Sequence, residues 1–223
     1  MFLAGRTEYT YGFSNQKMMS NKKGLAIDID EVLSLTALSW MDIMRKKFGN
    51  PENLSADEFY KKYKLTKNVP YWQGSDEFDF LENMRVNNEF YENIPAIKDS
   101  ALILNEINKI IPVSCYLTTR PEVIRGGTEK WLAENNFPTA EIIMRPENIS
   151  SKDGNKWKAG VLQSLYPEVI GIIDDNPELI DFLSKDYEGT VFLYGFSKFE
   201  DHKVAVVPCK DWENCLIKLK SLK

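Results

Sequence analysis

The chain has 223 residues, 43% apolar, 12% aromatic and 27% charged, a balance with enough apolar surface to offset chain entropy, so disorder over most of its length is excluded. Its 28 basic and 33 acidic residues leave a formal charge of −5, which argues against a protein that coats the backbone of a nucleic acid polymer. No run approaches the roughly 18 uninterrupted apolar residues that cross a bilayer, so no membrane partner is expected.

In chain order, residues 1–21 read as a leader. They are polar and aromatic, lack the apolar core of a secretory signal, and contain Met18 and Met19 as alternative starts. Short apolar runs then alternate with amphipathic stretches, the pattern of a parallel α/β sheet. Strands are expected at Leu25–Ile29, Val113–Leu117, Glu141–Met144, Val169–Ile173, Thr190–Leu193 and Val204–Val207. Most are continuously apolar, as strands covered on both faces are. Helices are expected near Glu122–Glu134, Lys156–Ser164, Pro177–Lys185 and Asp211–Leu219.

From Leu35 to Tyr91 the alternation breaks and only helical pattern is present. Leu38, Met41, Ile43, Met44 and Phe48 open it, Gly49-Asn50-Pro51 stops that helix, and Ser55 to Glu58 is a capping-box match. After the Pro70–Gly74 loop, helical spacing resumes over Asp76–Phe90. The block reads as an insertion folded over the sheet; a set of ordinary crossover helices is the alternative. Cys115, Cys209 and Cys215 have neither zinc nor redox spacing, which fits a reducing, cytoplasmic setting.

Several segments carry chemistry. The first strand delivers Asp28 and Asp30 at its carboxyl end, where open α/β sheets bind ligands. Such a pair can divide labour between nucleophile and proton carrier, whereas the alternative is a strand ending in solvated acids. The strand at Val113 ends in Thr118, Thr119 and Arg120, whose hydroxyls and amides can donate to a phosphate; Thr119 can also cap a helix ahead of Pro121, which makes Thr118 the better ligand-facing candidate. Lys156 and Lys158 open a later helix, and Lys158 precedes the apolar Val161 and Leu162 by one turn. The strand at Val169 ends in Asp174 and Asp175, adjacent acids that a cation such as Mg²⁺ would neutralise.

The order Asp-x-Asp, Thr, Lys, Asp-Asp, each at a strand end or helix start, resembles the haloacid dehalogenase-like superfamily, and within it the phosphohydrolases. The likeness spans Gly24 to Val207. It implies a Rossmann-like three-layer core (22–34 and 95–223), with 35–94 as a small helical cap. It also implies an aspartyl-phosphate mechanism, in which Asp28 attacks phosphorus and Asp30 protonates the leaving oxygen and later activates water. Thr118, Thr119 and Lys158 would hold the phosphoryl group. Mg²⁺ would take the Asp28 carboxylate, the Asp30 carbonyl and Asp175, with Asp174 orienting metal-bound water. Receiver domains, the rival of a different class, use similar residues in another order.

The return through Phe90 to Pro95, the Ile-Asp-Asp-x-Pro segment and the final Asp-Trp-Glu helix are similar to 5'(3')-deoxyribonucleotidases. That resemblance implies a small phosphorylated partner, a nucleoside monophosphate, with another phosphorylated metabolite as the alternative. Trp72, in a loop too short to bury much, is expected to stack on the base, and Arg120 either to contribute to substrate binding or to form a salt bridge to the sheet rim. The cap's other aromatic residues, Trp40 among them, read as core.

Overall fold

The computed structural model describes residues 23–221, so the leader expected over residues 1–21 lies outside the described residues. Six parallel strands form one sheet in the order β3-β2-β1-β4-β5-β6: β1 Gly24–Ile27, β2 Val113–Pro121, β3 Glu141–Arg145, β4 Val169–Asp174, β5 Thr190–Tyr194 and β6 Ala205–Cys209. This is the α/β class anticipated from the alternating pattern. The order reverses beside β1, which lies between β2 and β4 and so occupies the switch point where such sheets open a crevice.

Strand periodicity sorts the core into two layers. Leu25 and Ile27 of β1 face one way. They pack with Ile103, Leu104 and Ile107 of α5 (Ser100–Ile110), Trp131 of α6 (Arg125–Glu134) and Trp212 of α9 (Trp212–Lys220). Ala26 faces the other way. It packs with Cys115, Leu117 and Ile172 against Ala159 and Leu162 of α7 (Gly154–Ser164) and Leu179 and Ile180 of α8 (Glu178–Phe182). All three cysteines are buried and unbonded.

Between β1 and α5 the described chain is helical: α1 Thr36–Phe48, α2 Ala56–Tyr63, α3 Ser75–Arg85 and α4 Asn88–Glu92. Ser55 and Glu58 form the reciprocal capping box expected of them. These helices share a core of Met41, Met44, Phe59, Val69 and Trp72. The unit is anchored where α4 meets α6. There the Gly127 amide donates to Asn88 Oδ1 at 2.6 Å, and a Cβ at Gly127 would come within 2.6 Å of the Asn88 carbonyl. Only glycine permits that approach.

No helix among the described residues is long and apolar enough to cross a membrane. Boundaries differ from expectation in several places, β1 ending at Ile27 and α8 at Phe182 among them. β2 continues past Leu117 because Pro121 pairs with Arg145 after an irregularity. Helix α5 is not anticipated, although Ile103, Leu104 and Ile107 have helical spacing.

Candidate active site

The parity that sends Ala26 toward α7 also sends Asp28 there, because the chain stays extended one residue beyond β1: the Asp28 amide donates to the Ile173 carbonyl at 2.9 Å. On β4, Ile172 and Asp174 share that side in the same way. Helix α7 faces them with Lys158, whose Nζ is 2.7 Å from Asp28 Oδ1 and 2.6 Å from Asp174 Oδ2. All three side chains are more than nine-tenths buried. Lys156 is exposed and lines a separate groove with Asn148 and Trp157. Of the two candidate lysines, the structure therefore places Lys158 among the acids.

Asp175 completes the group: Asp28, Asp174 and Asp175 each offer a carboxylate oxygen, all within 4.8 Å of one another. Three carboxylates around one ammonium carry a surplus of negative charge, and the electrostatics register it. Burial, reinforced by the charges of Asp174 and Asp30 and opposed by Lys158, pushes the Asp28 carboxyl up to about 7. Burial and then the charges of Asp174 and Asp28 hold Asp175 well above the usual carboxylate range. Burial disfavours the Lys158 ammonium, yet Asp174 and Asp28 outweigh it and hold the group above the ordinary lysine range. A crowded set of hard oxygen donors with surplus negative charge fits Mg²⁺.

Asp30 sits in a different environment two residues away. The chain has left the strand, Glu31 adopts a left-handed φ of 57°, and the Asp30 carboxylate points toward β2. It accepts Thr36 Oγ1 at 2.6 Å, Arg120 Nη2 at 2.8 Å and Arg120 Nε at 3.0 Å. Burial acts to raise its pKa, but the Arg120 charge and the hydrogen bonds from Arg120 and Thr36 hold the carboxyl below the usual range. The same turn starts α1, since Glu31 Oε1 accepts the Ala37 amide at 2.5 Å where helix amides lack partners. Ser34 and Thr36 hydrogen-bond each other at 2.8 Å and brace the loop.

Thr118 is fully buried, and its Oγ1 accepts the Arg120 amide at 3.2 Å. Thr119 is half-buried and lines a cavity of about 360 Å³ between the sheet edge and the helical unit. Asp30, Glu31, Trp40, Arg85 and Arg145 line it as well.

One expectation needs correction, and the two readings of Arg120 are decided for the salt bridge. Trp72 is 3% exposed, its ring stacked on Phe59 at 4.8 Å and its Nε1 donating to the Gly49 carbonyl. The loop that carries it is short, but neighbouring helices close over the ring, so Trp72 is core of the helical unit and faces no substrate. Arg120 borders the cavity, yet its side chain is 1% exposed and its guanidinium is committed to Asp30. It also lies over the Tyr91 ring at 4.6 Å and the Trp131 ring at 5.8 Å. The sequence reading also omits Ser34, Thr36 and Arg145. The hydroxyls next to an acid-bearing turn were a usable signal; Arg145, at the end of an edge strand, had none.

The chain is thus an α/β protein with an acid–lysine centre at the carboxyl edge of a parallel sheet and a helical unit above it. No family model and no curated protein matches it. Among solved structures it is similar to that of a HAD family hydrolase from Deinococcus radiodurans R1 with bound phosphate and sodium. The match covers 89% of this chain and 88% of that one, at 15% identity and a TM-score of 0.42. At that identity, the chemistry has to be read from the chain's own side chains.

Proposed function

We propose that this protein is a Mg²⁺-dependent phosphomonoester hydrolase that works through an aspartyl-phosphate on Asp28. The observation that carries the reading is Lys158 bridging Asp28 and Asp174, with Asp175 completing a compact oxygen cluster. Bound there by Asp28 and Asp175, with Asp174 beside them, the cation would offset charge on the nucleophile and on the transferring phosphoryl oxygens.

The chain's own residues supply the rest. Lys158, fixed by two carboxylates, holds a positive charge beside the Asp28 oxygen and removes part of its repulsion toward a phosphate. A carboxylate oxygen of Asp28 forms the new bond to phosphorus while the bond to the ester oxygen breaks. Asp30 gives that oxygen a proton. Ionised again, it then takes a proton from the water that attacks phosphorus and releases Asp28. Facing Arg120, Asp30 stands in the ionised form that the second half requires. The first half requires it protonated, so an incoming phosphate dianion has to raise its affinity for a proton as it displaces water. Thr119 stands at the cavity wall, where it can donate to a phosphoryl oxygen; Thr118 supports the turn that aims it.

For the leaving group, a (deoxy)nucleoside monophosphate is the favoured substrate. Trp40, lining the cavity and half-buried, replaces Trp72 as the residue with a ring for a base. The decisive experiment is phosphate release from p-nitrophenyl phosphate and from a nucleotide panel, with and without Mg²⁺. Steady turnover that Asp28→Asn reduces at least about a thousandfold, with the fold intact, is expected. One stable phosphoryl group per chain without turnover would overturn the hydrolase reading.

A further inference from the structure

The cavity above the acid centre carries positive charge that no acid within it balances. Its lining includes Lys64, Arg85, Arg120 and Arg145 against Asp30 and Glu31. Asp30 is spent on Arg120, and Glu31 is turned to the Ala37 amide. Arg145 hydrogen-bonds only main-chain carbonyls, those of Thr119 at 3.0 Å and of Ile149, and has no carboxylate partner among the described residues. Among the described residues Arg85 pairs only with Glu82, an exposed neighbour on its own helix, at 3.0 Å. Lys64 stacks over the Tyr60 ring at 5.1 Å and has no acidic partner among the described residues.

Burial and then the charge of Arg85 push the Arg145 guanidinium below the ordinary arginine range. Two arginines from different parts of the chain, α3 of the helical unit and β3 of the sheet, therefore face one space and disfavour each other there. Holding like charges together in a partly desolvated pocket costs free energy unless an anion lies between them. The reacting phosphoryl group has its expected place at Asp28 and Lys158, with Asp30 and Thr119 of this lining beside it, and its charge is matched there by Lys158 and the proposed cation, which leaves Arg85 and Arg145 for another anion.

We propose that Arg85 and Arg145 form a subsite for a second anionic group on the substrate, a phosphate or a carboxylate carried by the leaving group. The preferred substrates are then phosphomonoesters that keep a negative charge after losing their phosphate: among nucleotides, a nucleoside 5'-phosphate that bears a second phosphate, or else a phosphorylated acid. The planar guanidinium suits either anion, since each offers paired oxygens to its parallel N–H groups. Because one arginine comes from each part, the anion also ties the helical unit down over the centre. This inference rests on the hydrolase reading for the reacting end of the substrate and on the cavity alone for the other.

The test is calorimetric binding to the full-length Asp28→Asn protein with Mg²⁺, comparing matched ligands. Adenosine 3',5'-bisphosphate is set against adenosine 5'-monophosphate, and phosphoglycolate against ethyl phosphate, so that the two arms separate a phosphate from a carboxylate. At least one ligand with two anionic groups should bind more than fivefold tighter than its partner with one. Arg85→Gln and Arg145→Gln, each made in that background, should bring the ratio below half its starting value, and Arg145→Lys should keep most of it. Arg85 is half-exposed, so its variant reports even where Arg145→Gln fails to fold. Ratios below fivefold in both arms, or a ratio that Arg85→Gln leaves unchanged, overturn the proposal. A wild-type protein with no phosphatase activity would refute the hydrolase reading while leaving this binding comparison intact.

Discussion

Replacing Arg120 by Met keeps an apolar stem over Tyr91 and Trp131 while deleting the charge opposite Asp30. The guanidinium makes three contacts to that carboxylate, at 2.8, 3.0 and 3.2 Å, and a fourth to Ser34 Oγ at 3.2 Å. Removing one partner of a fully buried ion pair costs about 3–5 kcal/mol, because the other charge is left without compensation. Here the Asp30 side chain is 29% exposed, so water can take up part of the freed charge, and about 2–3 kcal/mol is the reasonable figure after screening. For a chain of this size that is a fall in Tm of roughly 4–12 °C. The pH dependence gives the sign. Asp30's folded pKa lies below its ordinary value of 3.8, so the pair's contribution is complete above that value and is lost as pH falls through the folded pKa. Melting curves of wild type and Arg120→Met should therefore lie apart at pH 7 and converge in acid. Activity should move as well. Without its cation Asp30 binds a proton more readily, and the pH profile for an alkyl phosphate, whose alkoxide must be protonated, should shift toward higher pH by about one unit, or roughly 1.4 kcal/mol. A variant that melts with wild type at pH 7 and keeps the same profile would show that the pair does neither job.

Trp72→Ala should act on stability, costing about 3–5 kcal/mol for a large aromatic deleted from a packed core, while KM ratios among nucleotides stay as in wild type. Trp40→Ala should do the reverse, raising nucleotide KM more than that for p-nitrophenyl phosphate, and steady-state kinetics with thermal melts separate the two. In the metal-free protein the Asp28 carboxyl is pushed up to about 7 from 3.8, so the folded state holds a proton that the unfolded state has lost. Stability should then fall as pH rises from about 4 to 7, and Mg²⁺ should restore it at pH 8 by binding only the folded form. Asp175→Asn should abolish that Mg²⁺-induced rise in Tm; an unchanged rise would remove Asp175 from the ligand set.

Local pattern carried most of the fold. Continuous apolar runs marked the strands, and the absence of such runs between Leu35 and Tyr91 marked the helical block, because burial on two faces and burial on one stripe leave different periods in a sequence. Helix α5 was equally legible in Ile103, Leu104 and Ile107 and lay hidden only between two conspicuous segments. What local pattern could not carry was the partner of each side chain. Trp72 sits in a five-residue loop between Pro70 and Gly74, and nothing nearby in sequence reveals that Phe59 and the Gly49 carbonyl enclose it. A salt bridge was open to Arg120, but its partner, 90 positions away, could not be named from the sequence.

The same limit bears on the central pair of acids. Asp28 and Asp30 are the same residue type, two positions apart, and a strand continuing through both would give them one face and one environment. The strand stops at Ile27, and the left-handed turn at Glu31 begins a loop braced by Ser34 and Thr36. From there the two carboxylates diverge. One enters a buried cluster with other acids and is pushed up, while the other meets a guanidinium and is held down. The two environments are therefore distinct: a cation bound at the cluster would leave Asp28 ionised to form a bond, while Asp30, ionised beside Arg120, stands ready to take a proton from water. The spacing of the acids makes such a division available, but the cation opposite each one decides which takes which part. Removing those cations, rather than the acids themselves, is therefore the change that would scramble the roles: with p-nitrophenyl phosphate, whose leaving group needs no proton from Asp30, Arg120→Met should leave nucleophilic attack intact and disturb hydrolysis of the intermediate, where Asp30 takes a proton from water, and Lys158→Met should slow the attack. Single-turnover measurements that resolve phosphoryl transfer from hydrolysis of the intermediate distinguish the two, and equal damage to both steps in each variant would refute the assignment.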